Sequence, residues 1–82
     1  MFYYLDTIKI QKESEIMNKV IYYRKLLKLK QSDLADLLGI STQGFSYKER
    51  GERAFNDKEK ITLRDFFSKK LQKPLTIDEL FF

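Results

Sequence analysis

The chain has 82 residues, with 16 Lys and Arg, 12 Asp and Glu, and a formal net charge of +4. With no Cys and no His, it has no disulfide, no thiolate nucleophile, no imidazole base and no zinc site built on those ligands. Carboxylate pairs are the one catalytic option left, and so small a domain has little room for a cleft around them, so a non-enzyme without cofactor is expected.

A hydrophobic content of 43% is enough for one core and too much for a disordered chain. The basic excess is uneven. Residues 18–51 carry seven basic and three acidic side chains, whereas residues 1–17 are net −1 and residues 52–82 net +1. An anionic partner would therefore be met in the middle third. No apolar run approaches the ~20 residues of a membrane span. Residues 1–5 lack the basic start and long apolar stretch of a signal peptide, so a cytoplasmic protein with no membrane partner is expected.

Three Gly and one Pro punctuate the chain, which favours an all-α fold. Phe2 to Ile10 is aromatic and β-branched and reads as a short strand or extended arm. Met17-Asn18-Lys19-Val20 would itself make a normal protein start, so residues 1–16 read as an appendage to a domain spanning residues 17–82. A first helix is predicted from between Ser14 and Asn18 to Lys28, with Ile16, Val20, Tyr23 and Leu27 as its apolar stripe. A second spans Gln31–Leu38, burying Leu34, Leu37 and Leu38, with Ala35 allowing close packing and Gly39 ending it in a left-handed conformation. Ser41 caps a third helix from Thr42 to about Arg50, with Phe45 in the core and Gly51 at its end.

Asn56 and Glu59 form a capping-box pattern for a fourth helix, which carries Ile61, Leu63, Phe66, Phe67, Lys70 and Leu71 and stops at Pro74. Thr76 to Glu79 repeats that pattern before Leu80, Phe81 and Phe82, which are expected on the core. The second and third helices, joined by a tight turn at Gly39, have the layout of a helix-turn-helix.

The stretch around that turn resembles the phage-repressor/Cro-type (XRE-like) helix-turn-helix family. Arg24, Gln31, Leu34, Ala35, Gly39, Ile40, Ser41, Phe45, Ser46, Glu49 and Gly51 all stand in the family's register. The match covers about residues 18–55. It implies a lambda-repressor-like bundle of about five helices that binds double-stranded DNA as a transcriptional regulator of phage, prophage or mobile-element type. A homodimer occluding a palindromic operator is the mechanism that goes with it.

Thr42, Gln43, Ser46 and Tyr47 match the base-facing positions of a recognition helix. Gln43 suits adenine and Thr42 a thymine methyl, while Tyr47 is divided between base contact and packing on the first helix. Gln31 matches a phosphate-binding position, and Lys30, Arg50 and Arg53 are further phosphate candidates. Arg24 and Glu49 match an internal salt bridge.

Two residues depart from the pattern. Gly44 lies inside the recognition helix, and Lys48 occupies an apolar position, where either its stem snorkels or the helix is rotated. The segment from Gly51 to Thr76 is longer than usual, which predicts an extension of the fourth helix by one or two turns through Lys73. The rival functions are the antitoxin of a toxin–antitoxin pair and a protein-interaction adaptor that does not touch DNA.

Overall fold

A computed structural model describes residues 18–81, which form five α-helices and no strand. These are α1 (Val20–Leu26), α2 (Gln31–Leu38), α3 (Thr42–Glu49), α4 (Asp57–Leu71) and α5 (Ile77–Phe81). The arm or strand expected over residues 1–16, the helical start before Asn18 and the packing of Phe82 lie outside the described residues.

Each helix is bounded by its own local chemistry. The Asn18 side chain accepts the Val20 N–H at 3.0 Å and donates to the Lys48 carbonyl at 3.2 Å, which ties the start of α1 to the end of α3. At the start of α2, the Asp33 carboxylate accepts the Lys30 N–H at 2.8 Å. Gly39 ends α2 at φ 72°, a conformation that costs glycine nothing and other residues about 1–2 kcal/mol. Ser41 then caps α3, its Oγ accepting the Gly44 N–H at 2.9 Å. The reciprocal boxes Asn56/Glu59 and Thr76/Glu79 open α4 and α5, each side chain accepting the other residue's backbone N–H.

The core is Val20 from α1, Leu34 and Ala35 from α2, Phe45 from α3, Leu63 and Phe67 from α4, Leu80 and Phe81 from α5, and Phe55 and Leu75 from the connections. Ring contacts run through it, with Phe45 at 5.9 Å from Phe55 and Phe55 at 5.6 Å from Phe81. The Lys19 N–H donates to the Leu80 carbonyl at 2.8 Å, so α5 closes against the entry to α1. None of the described helices is long and apolar enough to cross a membrane.

Two expectations on packing are corrected. Leu37 is not on the buried face of α2, where Leu34 and Ala35 take that place and Leu38 packs at the edge of the core. On the helical wheel Leu34, Leu38 and Ala35 span one arc, and Leu37 lies about 60° outside it, on the Leu34 side. α4 reaches Leu71 and stops there, because Gln72 turns left-handed at φ 56° before Pro74 is reached. The extension therefore ends short of Lys73. Ile61 sits near the start of α4 as expected, but it is 46% exposed.

Candidate nucleic-acid interface

The helix-turn-helix is built from α2, the turn at Gly39 and α3, and these two helices pack directly on each other. Phe45 and Glu49 are the buried side of α3. They lie four residues apart, one turn above the other, so the opposite side of the helix is turned outward. That side carries Gln43, exposed, and Tyr47, half-buried, with half-buried Ser46 at its edge; Thr42 lies on the Phe45 stripe and is exposed because it opens the helix.

A buried ion pair holds α3 in place. Arg24 Nε and Nη2 donate to Glu49 Oε2 and Oε1 at 2.7 and 3.2 Å, and Nη1 donates to the Leu29 carbonyl at 2.9 Å. The side chains are 11% and 1% exposed. The bridge expected between Arg24 and Glu49 is thus formed, and it joins the first helix to the third.

Gln31 belongs to the same network, because its Nε2 donates to Glu49 Oε1 at 2.8 Å. Half-buried at the start of α2, Gln31 adds a third side-chain donor bond to the Glu49 carboxylate.

Lys48 has an equally specific explanation. Its Nζ donates to both carboxylate oxygens of Glu59, at 2.7 and 2.9 Å. Glu59 also accepts the Asn56 N–H, so one carboxylate serves the cap of α4 and the lysine of α3. The side chains are 18% and 9% exposed. A charge at an apolar position is accommodated by an acid supplied from the next helix. The buried residues of α3 remain Phe45 and Glu49.

No family model, curated protein or solved structure matches this chain. The chemistry of the α3 face therefore rests on its own side chains.

After α3 the chain reverses at Gly51, at φ 84°. The N–H groups of Glu52 and Arg53 both return to the Tyr47 carbonyl, at 2.9 and 3.3 Å. This turn sets both residues beside the outward face. The guanidinium carbons of Arg50 and Arg53 lie 5.2 and 4.9 Å from the centre of the Tyr47 ring, within cation–π range. Gln43 Nε2 donates to the Tyr47 hydroxyl at 3.1 Å. Arg50 Nε and Nη2 donate to Glu52 Oε2 and Oε1 at 2.9 and 3.3 Å, and Nη1 donates to Ser46 Oγ. The hydrogen bond from Arg50, with the charges of Arg50 and Arg53 behind it, holds the Glu52 carboxyl below its ordinary pKa.

The structure thus gathers Gln43, Ser46, Tyr47, Arg50 and Arg53 into one polar surface on and just after α3. Lys30 is exposed at the N-cap of α2. Glu52 was not singled out from sequence. The signal available was an acid between two arginines directly after a turn glycine. The side-chain amide, hydroxyls and guanidinium groups here can hydrogen-bond base edges and phosphates.

Proposed function

We propose that this chain binds double-stranded DNA through the outward face of α3, as a small sequence-specific transcriptional regulator of the phage-repressor/Cro type. The observation that carries this reading is the buried Arg24–Glu49 pair, at the two positions where the family resemblance expects a brace. It holds α3 with Phe45 inward, Gln43 and Tyr47 on the opposite side beside Arg50 and Arg53, Ser46 at the edge, and Thr42 exposed in the first turn. A helix presented in this way fits the major groove, its N-terminal residues meeting base edges. A dimer on a palindromic operator would set two such helices ~34 Å apart, one turn of DNA, and repress by covering a promoter.

Two substitutions separate the contact classes. Arg53→Ala is expected to weaken binding to every duplex alike and to lower the slope of log affinity against log salt by about 1. Gln43→Ala is expected to relax the preference at one base position, by roughly 1–3 kcal/mol. Anisotropy titrations on a preferred duplex and its single-base variants would read both effects. Unchanged affinity in both variants would contradict docking of α3 in a groove and would favour a helix-turn-helix used for protein contact.

A further inference from the structure

The polar face of α3 is closed on itself. All three guanidinium nitrogens of Arg50 are engaged within the chain, two by Glu52 and one by Ser46. Two neighbouring guanidinium N–H groups on the two oxygens of one carboxylate are the arrangement in which arginine also binds phosphate. Glu52 therefore occupies the part of Arg50 that a DNA backbone would use.

The pair is also free to exchange. Its side chains are 48% and 53% exposed, against 11% and 1% for the structural pair Arg24–Glu49. Glu52 does not reach Arg50 by chance of a long side chain alone. Its backbone N–H is bonded to the Tyr47 carbonyl through the turn at Gly51, which keeps the carboxylate next to the guanidinium.

We propose that Glu52 is an intramolecular competitor for phosphate. It holds Arg50 in the free protein and must be displaced before Arg50 contacts a nucleic-acid backbone, so it lowers the affinity of this face for any duplex. The proposal rests on the DNA-binding reading of α3 and adds to it the residue that sets the strength of one backbone contact. An exposed ion pair is a weak competitor, so its release is expected to raise affinity about two- to fivefold.

Glu52→Gln removes the charge and keeps the shape, but it also removes a negative charge near the DNA. A double-mutant cycle separates the two effects. Affinity for a labelled random-sequence duplex would be measured for wild type, Glu52→Gln, Arg50→Gln and the double variant, at low and at near-physiological salt. Thermal melts of all four would show that each is folded. The expected result is a gain from Glu52→Gln that is about two- to fivefold larger when Arg50 is present than when it is Gln. Equal gains in the two backgrounds would overturn the proposal, because Glu52 would then act as a general negative charge. Binding by none of the four folded proteins, even at low salt, would overturn the DNA-binding reading itself.

Discussion

Glu49→Ala is expected to cost roughly 3–5 kcal/mol of folding stability. The Glu49 side chain is 1% exposed and accepts from Arg24 and Gln31, so its loss strands two donors at once. The Arg24 guanidinium would keep only the Leu29 carbonyl, in a site 11% exposed to water. An unpaired buried charge is far more expensive than the pair is stabilising, because the cost of desolvation is no longer offset. The same asymmetry predicts that replacing both partners, as Arg24→Met with Glu49→Leu, restores most of the loss. Urea unfolding at constant m would measure both proteins. A single variant within about 1 kcal/mol of wild type would mean that the pair is solvated and does not brace α3.

Phe45→Ala is expected to cost about 3–5 kcal/mol. The ring is fully buried and is the one apolar anchor of α3 in the core, alongside Glu49. It also begins the ring series through Phe55 to Phe81, so the cavity left behind faces other aromatic rings that have no smaller rotamer with which to fill it. For a domain whose total stability is of the order of 5–15 kcal/mol, this is a large fraction. The loss should appear as a fall of roughly 12–40 °C in melting temperature, taking about 4–8 °C per kcal/mol at this size. A fall of only a few degrees would mean that α3 is held by its ion pairs and not by its packing.

The regular parts of this fold were legible because each depends on residues close in sequence. Gly39, Ser41, the Asn56/Glu59 box and the Thr76/Glu79 box act within one turn of themselves, and all four are found where the sequence puts them. The Arg24–Glu49 pair spans 25 positions, so it was legible only through the spacing it shares with a known pattern. What was not legible depends on partners far along the chain. Nothing near Lys48 in sequence points to Glu59, eleven residues away on another helix. Gln31 could be assigned to a cap or a phosphate, but its turn towards Glu49 follows from how α2 and α3 pack. Leu37 was misplaced because Leu34, Leu37 and Leu38 share one helical face, but the buried arc is centred on the Ala35 side of Leu34, and that depends on what α2 packs against. At Gly44 an added Cβ would lie 3.0 Å from Ser41 Oγ, a tight contact with a side-chain atom that does not itself demand glycine.

Selection from random-sequence duplexes tests most directly whether α3 reads DNA. Purified protein would be carried through rounds of selection at near-physiological salt, where sequence-independent backbone binding is weak. Enrichment of a palindrome with half-site centres about one helical turn apart is the predicted result. No enriched sequence, together with no tight binding at low salt, would contradict the DNA-binding reading.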